Sequence, residues 1–379
     1  MTQDIKCDAL IIGCGITGSL MAEQLTFQGL DVVVIDREHA GSGSTAASTS
    51  MLLWEIDRPL RELSNIYGFD RAKRAYSASF QAVGGLRHLA SKLGLPCQMR
   101  EKNSLYLASG TNNANLREEH RLRMRAGFPG LFLDQDRLLK EFEIRRSGAI
   151  VSPGSADADP VQLARALLRV AIDRGARMFA GETIAYDSAN NSVGVQLTNG
   201  CTIEARHVIL ATGYVMPKIV KATVQSPSSS WAIATKPQPH NIWKGSALIW
   251  EDSTDYIYAR STSDGRIIIG GEDSDSVIDG DARDALIPQK SRALADKLTA
   301  LWPRAELDID YRWSGTFDTT KDGLPLIGPV PGAKGVHAAY GYGGNGITFS
   351  YLAAKLIGSL INGTRSNLLD DFSLERSGS

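Results

Sequence analysis

The chain has 379 residues, of which 43% are hydrophobic and 22% charged, and glycine occurs at 37 positions. This composition is typical of a folded globular protein and excludes a disordered or collagen-like chain. With 41 Lys and Arg against 42 Asp and Glu, the formal net charge is −1, so no overall basic charge favours nucleic acid or an anionic membrane. The four cysteines have no CxxC spacing and are predicted to be reduced thiols, as in a cytoplasmic protein.

The N-terminal residues predict a strand, a glycine-rich turn, a helix and a second strand. Apolar runs at 8–12 and 32–36 predict the two buried strands, and helical apolar spacing lies between them. The turn carries GxGxxG, formed by Gly13, Gly15 and Gly18. In this context the first glycine makes the tight turn, the second lets the backbone approach a pyrophosphate, and the third allows close packing. The predicted ligand is therefore a dinucleotide.

Residues on both sides of this helix complete the predicted dinucleotide site. Ile16 and Thr17 open the helix, where free N–H groups and the positive end of the dipole face phosphates. Asp36 ends the second strand and is predicted to accept hydrogen bonds from ribose hydroxyls. Arg37 follows; a surface position is favoured over a 2′-phosphate contact, because Asp36 would repel that phosphate. A glycine-rich turn without a ligand is the alternative that the motif, its context and the acid together disfavour.

The middle of the chain predicts a loop, a helical region and a second crossover unit. The segment 41–50 is rich in Gly, Ser, Thr and Ala, and is predicted to be a loop along an extended cofactor. Residues 58–145 are predicted to be largely helical, and a further helix begins near Asp159-Pro160. The candidate cofactor-binding residues of this region are Gly43, Ser44, Thr45, Ala47, Ser48, Thr49, Ala211, Thr212 and Gly213.

The C-terminal half predicts antiparallel strands and then a last parallel unit. Asp264-Gly265 between two strand-like runs predicts a hairpin. A buried strand at 336–339 leads through a glycine-rich turn into a helix that stops at Gly363. This second glycine-rich helix N-terminus is predicted to face an anionic group of the cofactor, through Gly343, Gly344, Asn345, Gly346, Ile347 and Thr348.

Crossover units at the start, middle and end predict an α/β fold with a discontinuous, Rossmann-like cofactor-binding domain. An α+β substrate domain built on an antiparallel sheet is inserted into it. The predicted boundaries are 1–85, 146–225 and 323–379 for the cofactor-binding domain, and 86–145 and 226–322 for the substrate domain.

Together these motifs resemble the glycine/D-amino-acid oxidase (DAO) superfamily of FAD-dependent oxidoreductases, over nearly the whole chain. The resemblance is carried by the GxGxxG turn with Asp36, the loop 43–48, Ala211-Thr212-Gly213, and the segments 320–329 and 343–347. It implies an FAD-binding domain and a substrate domain whose antiparallel sheet covers the flavin. It further implies oxidation of a C–N bond of an amine or amino-acid-like substrate by hydride transfer to flavin N5, with oxygen or another acceptor reoxidising the flavin.

The sequence departs from the family pattern at two places. Relatives with covalent flavin carry a Cys before the segment 320–329, or a His in the loop after the second strand, and the matching segments of this chain, 313–317 and 43–47, contain neither. FAD is therefore predicted to bind non-covalently. Amino-acid-oxidising relatives often carry an Arg that clamps the carboxylate, and the matching residue here is Phe317. A ring cannot replace a bidentate guanidinium, which argues against a simple glycine or D-amino acid substrate unless an arginine elsewhere takes over this role.

The predicted hairpin supplies the first candidates for the substrate site. Strand alternation places Tyr256, Tyr258 and Arg260 on one face, opposite Ile269 and Gly271. Two interpretations of the arginine stay open: an ion-paired structural residue, or a residue that binds an anionic ligand.

Other candidates lie beside the cofactor motifs. Trp313 and Tyr342 flank the C-terminal segments and are predicted to form part of a substrate cage, with core packing as the alternative. Glu55 and Asp57, next to Trp54, are candidates for binding a cationic amine, although a solvated helix start is favoured for them. The position of Lys321 relative to the flavin stays open.

No other chemistry competes in this sequence. The six histidines lack HxxH or HExxH spacing, so no metal is predicted, and no GxSxG or P-loop motif is present. The alternatives are an FAD-dependent 2-hydroxy acid or polyol dehydrogenase or oxidase, a flavin-binding subunit of a larger complex, and a globular protein without flavin. We predict a cytoplasmic protein that acts on a small molecule, with no nucleic acid or membrane partner; a partner subunit stays open.

Overall fold

The computed structural model describes residues 3–188, 192–221, 225–253 and 255–376. The strands are β1 (Ile5–Ile12), β2 (Val32–Asp36), β3 (Met51–Leu52), β4 (Arg100–Ala108), β5 (Leu131–Asp134), β6 (Gly148–Asp157), β7 (Arg177–Ala180), β8 (Thr183–Asp187), β9 (Val193–Leu197), β10 (Thr202–Leu210), β11 (Gln225–Thr235), β12 (Leu248–Asp252), β13 (Ile257–Ser261), β14 (Ile267–Ser274), β15 (Ile309–Thr320), β16 (Leu326–Pro329) and β17 (Val336–Tyr340). The α-helices are α1 (Ile16–Phe27), α2 (Ser44–Ala47), α3 (Leu60–Tyr67), α4 (Phe69–Lys92), α5 (Ala114–Ala126), α6 (Gln135–Phe142), α7 (Pro160–Asp173), α8 (Gly280–Ala285), α9 (Ile287–Leu301), α10 (Gly346–Ile361) and α11 (Leu368–Asp371).

The first sheet has the strand order β16-β17-β10-β1-β2-β7. Its central strands β17, β10, β1, β2 and β7 pair in parallel, while β16 and the β8–β9 hairpin are antiparallel additions. Both faces of β1 and β2 are covered, which explains their continuous apolar runs. Helices α1, α7 and α10 share one core with one face of this sheet. At Gly358, α10 approaches α1 so closely that a Cβ would lie 2.7 Å from the Gln24 side chain.

The second sheet has the strand order β15-β11-β14-β13-β12-β4-β6-β3, with β5 added beside β6. Its pairs are antiparallel except β12 and β4, which run in parallel, so the sheet is mixed where a purely antiparallel one was predicted. Helix α9 packs on this sheet and shares its apolar core. The predicted hairpin at Asp264-Gly265 is confirmed, because it joins β13 to β14 and Gly265 has φ +85°.

The two sheets divide the chain differently from the predicted boundaries. β6 lies at 148–157, within a segment predicted for the cofactor-binding domain, yet it pairs with β4 in the second sheet. The region 58–145 contains β4 and β5 as well as the expected helices. Pairing with distant strands stabilises these segments as strands, and local sequence does not show such pairing. In the described ranges, no helix is both long and apolar enough to cross a membrane.

Candidate active site

A cleft of about 720 Å³ lies at the carboxyl ends of β1, β2 and β10, and the second sheet forms its other wall. In a parallel sheet this edge is where ligands bind. Most of the predicted cofactor residues line this cleft: Gly13, Gly15, Ile16, Thr17, Asp36, Arg37, Gly43, Ser44, Thr45, Ala47, Ser48, Thr49, Ala211, Thr212, Gly213, Gly343, Gly344, Gly346 and Ile347. We call the part formed by Gly13, Gly15, Asp36 and Thr45 the glycine part.

Two glycines of the glycine turn leave no room for a side chain. Gly13 has φ +105°, and a Cβ there would lie 2.3 Å from the carbonyl oxygen of Ala211. Gly18 does not line the cleft; a Cβ on it would lie 1.8 Å from the Gly13 carbonyl oxygen, so it packs the helix against the turn. Gly15 is the N-cap of α1 and has no side chain to cap it, while the Ile16 N–H is held by Thr45. The turn therefore presents backbone N–H groups to an anion in the cleft.

Asp36 and Arg37 lie beside this turn. The Asp36 carboxylate accepts hydrogen bonds from the N–H groups of Cys14 at 2.7 Å and Glu38 at 2.8 Å. A carboxylate has about four acceptor positions, so oxygen lone pairs stay available for ribose hydroxyls. Arg37 pairs with Glu182 at 3.5 Å, and both side chains are more than half exposed.

The loop after β2 joins the glycine turn to the second sheet. It contains the short helix α2, where the sequence predicted irregular structure. Thr45 Oγ1 accepts a hydrogen bond from the Ile16 N–H at 3.0 Å. On the other side, Ser44 Oγ donates to the Thr316 carbonyl at 3.1 Å, and Trp313 Nε1 donates to the Ala47 carbonyl at 2.8 Å.

The C-terminal glycine turn differs from the prediction at two residues. Asn345 and Thr348 do not line the cleft. Their side chains point inward instead: Asn345 Nδ2 donates to the Glu55 carbonyl at 2.8 Å, and Thr348 Oγ1 donates to the Leu53 carbonyl at 3.0 Å. They tie the segment after β3 to the start of α10. The N–H of Gly344, predicted to face the cofactor, donates to a carboxylate of that segment.

The carboxylate that Gly344 contacts belongs to Asp57, which lines the cleft. Many protein atoms line the cleft around Asp57, and its side chain is exposed there. Burial raises its pKa to about 6 against the opposing effect of the Gly344 hydrogen bond, and the charge of Asp273 raises it further. Asp57 is exposed and lies three residues before α3, so the solvated helix start and the amine-binding role both stay predictions for it.

Glu55, the other amine-binding candidate, and its neighbour Trp54 do not line the cleft. Glu55 is buried, accepts a hydrogen bond from Ser104 and lies 3.6 Å from Arg123. Burial raises its pKa, and Arg123 opposes the shift. Trp54 packs in an aromatic cluster with Phe128. Lys321 does not line the cleft.

Four of the five predicted substrate residues line the cleft: Tyr256, Tyr258, Trp313 and Tyr342. Burial raises the pKa of both hairpin tyrosines, with the charges of Asp273 and Asp57 adding to the shift, so their hydroxyls stay protonated. The hairpin register differs by one residue from the prediction: Tyr258 lies opposite Gly270, and a Cβ on that glycine would lie 2.4 Å from the tyrosine ring.

Arg260 is the fifth, and it does not line the cleft. It lies opposite Ile268, is only 7% exposed, and pairs with Asp157 at 3.5 Å while its Nε donates to the Thr49 carbonyl. The ion pair with Asp157 favours the structural interpretation of this arginine over the anion-binding one.

Several lining residues were not candidates in the sequence. They are Gly181, Glu182, Thr183, Ile184, Tyr214, Val215, Met216, Lys218, Ser230, Trp231, Ala232, Trp250, Thr316 and Asp318. Trp250 stacks on Tyr106 with ring centroids 3.8 Å apart, and no local pattern marks it. Asp318 directly follows Phe317, which also lines the cleft, and burial raises the pKa of Asp318 to about 6. We call the part formed by Trp250, Tyr256, Tyr258 and Phe317 the aromatic part.

Comparison with known proteins links this cleft to a family. Residues 8–360 match the family model described as FAD dependent oxidoreductase (DAO). The chain is 26% identical to gamma-glutamylputrescine oxidoreductase from Escherichia coli, over 96% of this chain and 85% of that protein. It is 25% identical to glycine oxidase from Bacillus licheniformis, over 98% of both chains. The structure of glycine oxidase from Geobacillus kaustophilus superimposes with a TM-score of 0.84 at 22% identity, covering 99% of this chain and 100% of that one.

Proposed function

Because this chain belongs to the family of FAD-dependent oxidoreductases, we propose that it oxidises a C–N bond of an amine or an amino-acid-like substrate. The observation that carries this proposal is a single cleft in which a glycine cradle for a dinucleotide adjoins an aromatic part. The names of two relatives, glycine oxidase and gamma-glutamylputrescine oxidoreductase, support this substrate class.

The residues of the glycine part fit FAD. The start of α1 and the bare backbone at Gly13 and Gly15 suit the pyrophosphate, and Asp36 suits a ribose. Thr212 Oγ1 is buried at the cleft without a hydrogen-bond partner among the described residues, as expected for a group that contacts a ligand. FAD, when bound, accepts the two electrons of the oxidation. Among the described residues that line the cleft there is no Cys and no His, which supports non-covalent binding.

The aromatic part has the properties that amine oxidation requires of the protein. Its aromatic walls exclude water from the bond that is oxidised. The hydroxyls of Tyr256 and Tyr258 stay protonated; Tyr256 donates to Asp273 Oδ2, and Tyr258 shares a hydrogen bond of 3.1 Å with Ser230 Oγ. The acceptor that reoxidises the flavin, oxygen or another compound, and the cytoplasmic location stay predictions.

Two alternatives are less well supported. Oxidation of a 2-hydroxy acid or polyol needs a base for the hydroxyl proton, and no histidine lines the described cleft. A flavin-binding subunit would bind FAD but need a partner protein for its reaction.

One experiment separates these functions. The purified protein is loaded with FAD and mixed without oxygen with primary and secondary amines, N-methyl amino acids, and hydroxy acids, and flavin absorbance is recorded. We expect bleaching by members of the amine or amino acid groups. Bleaching by hydroxy acids alone would establish the alternative reaction, and no bleaching by any compound would support the subunit hypothesis.

A further inference from the structure

We propose that Asp57 selects a substrate that carries a positive charge, so that the aromatic part of the cleft takes a cationic amine rather than an amino acid held by its carboxylate. This inference rests on the proposed function, because it names the substrate class of the same site. Four observations support it: the contacts of Asp57, the aromatic walls, the distribution of charge and the rigid support of the segment.

The Asp57 carboxylate has one side held and one side free. Oδ2 accepts a hydrogen bond from the Gly344 N–H at 2.6 Å, and the Asp57 N–H donates to Asn345 Oδ1 at 3.1 Å. No Lys, Arg or His of the described residues forms an ion pair with it, and the side chain opens to the cleft. This carboxylate faces the cleft with no cation of the described residues paired to it, and an ammonium group of a ligand would supply one.

Aromatic rings stand beside this carboxylate. Tyr256 and Tyr258 line the same cleft, with ring centroids 6.1 Å apart, and both lie near enough to Asp57 for its charge to raise their pKa. Trp250 lies opposite Tyr258 on the neighbouring strand and also lines the cleft. Aromatic faces attract ammonium groups through their negative quadrupole, while they repel carboxylates.

The charged residues of the cleft also favour a cationic substrate. Arg37 and Lys218 are the cations among its described lining residues; Arg37 pairs with Glu182 beside Asp36, and Lys218 is exposed in the loop after Gly213. The aromatic part instead has Phe317, and directly after it Asp318, whose carboxylate accepts the Gly341 N–H at 3.2 Å. A substrate carboxylate would therefore meet no cationic partner in the aromatic part and would be repelled by two acids.

Buried contacts fix the segment that carries Asp57. On its C-terminal side, Glu119 accepts hydrogen bonds from the N–H groups of Leu60 at 3.0 Å and Arg61 at 2.8 Å. Glu119 in turn binds Arg123 Nε at 2.7 Å, and Arg123 lies 3.6 Å from Glu55 on the N-terminal side. A charged group held on both sides is preorganised for a ligand and loses little entropy on binding.

The test compares a cation with its neutral isostere. Choline and 3,3-dimethylbutan-1-ol differ by the charge of one atom, and acetate probes carboxylate binding. Their affinities for the FAD-loaded protein are measured by isothermal titration calorimetry, which does not depend on turnover. We expect choline to bind at least about tenfold more tightly than the alcohol, and acetate to bind more weakly than either.

The variant Asp57→Asn keeps an oxygen that can accept the Gly344 hydrogen bond but loses the charge. We expect it to weaken choline binding by about tenfold or more and to change binding of the alcohol by less than about twofold. The matched control is Asp281→Asn, which removes an acid at an exposed position in α8 outside the cleft and should leave all three affinities unchanged.

The outcomes separate this inference from the proposed function. Equal affinity of the wild-type protein for choline and the alcohol would overturn the inference, even if Asp57→Asn failed to fold. Loss of FAD by the variant, with choline affinity kept after FAD is resupplied, would assign Asp57 to the cofactor instead and also overturn it. If amines bleach the flavin of the wild-type protein and of Asp57→Asn with equal affinity, the proposed function is supported and the inference about Asp57 is rejected. Charge-selective binding without any bleaching would sustain the inference and reject the function.

Discussion

The glycine part and the aromatic part of the cleft are built from different groups. The glycine part presents main-chain groups of residues that are close in sequence, from the bare turn at Gly13 to the N-cap Gly15. The aromatic part presents side chains from separate strands, such as Tyr258, and Asp57 is added beside it from a loop. Backbone groups bind what every FAD molecule shares, whereas side chains distinguish one substrate from another. The first part should therefore fail completely when its backbone is obstructed, while the second should change its selectivity by degrees.

The largest effect is expected at Gly15. In Gly15→Val the side chain would occupy the space where the pyrophosphate approaches the start of α1, so FAD affinity should fall by at least about 100-fold. The measurement is the flavin-to-protein absorbance ratio after gel filtration, together with circular dichroism for folding. Gly84→Val is the matched control, since Gly84 is exposed in α4 with no atom within 4 Å of its Cβ position. One FAD per folded Gly15→Val chain would refute the pyrophosphate assignment.

Replacing Arg260 tests whether the substrate site extends beyond the aromatic part. Arg260→Ala removes a buried partner of Asp157, which keeps its bond to Arg100, so the free energy of unfolding should fall by about 2 kcal/mol. Because Arg260 lies outside the cleft, KM for any amine substrate should not change. Urea unfolding at saturating FAD measures the first quantity, and steady-state kinetics the second. Arg312→Ala, at an exposed position on β15, should cost less than about 0.5 kcal/mol. A raised KM with unchanged stability would return Arg260 to the substrate site.

These two residues also show how far sequence reasoning reaches. The turn from Gly13 to Gly18 spans a few residues, so its strand, glycines and helix could be predicted from their order alone. Arg260 could not be assigned, because its partner Asp157 lies 103 residues away and meets it only through strand pairing. Asp57 faces the cleft because Asn345, 288 residues later, holds its backbone. Such contacts depend on tertiary structure, which local propensity does not encode.

A change of pH should affect ligand binding at Asp57 and Asp318, the two acids beside the aromatic part. The pKa of Asp57 is raised to about 6, so its anionic form, which binds a cation, is replaced by the neutral acid as the pH falls through 6. Choline keeps its charge at every pH, and its affinity should fall about tenfold between pH 8 and pH 5. Asp318, with a pKa of about 6, adds to this change. The charge of Asp273 raises the pKa of Asp57, and the Tyr256 hydroxyl stays neutral between these two pH values. Calorimetry at both pH values measures the effect, which should be smaller in Asp57→Asn. An affinity that is independent of pH would contradict a carboxylate as the binding group.

The smallest expected effect lies where the two parts meet. Trp313 lines the cleft and donates a hydrogen bond of 2.8 Å to the Ala47 carbonyl, in the loop that also supports the glycine turn through Thr45. Trp313→Phe keeps an aromatic wall but removes this donor, which should loosen the loop by about 1 kcal/mol and weaken FAD binding about fivefold. Trp302→Phe is a matched control, because its indole donates to the Asn241 carbonyl away from the cleft. It should lower stability similarly without changing FAD affinity. If both variants weaken FAD binding equally, the effect is general destabilisation; if only Trp313→Phe does, the second sheet positions the loop that holds the cofactor.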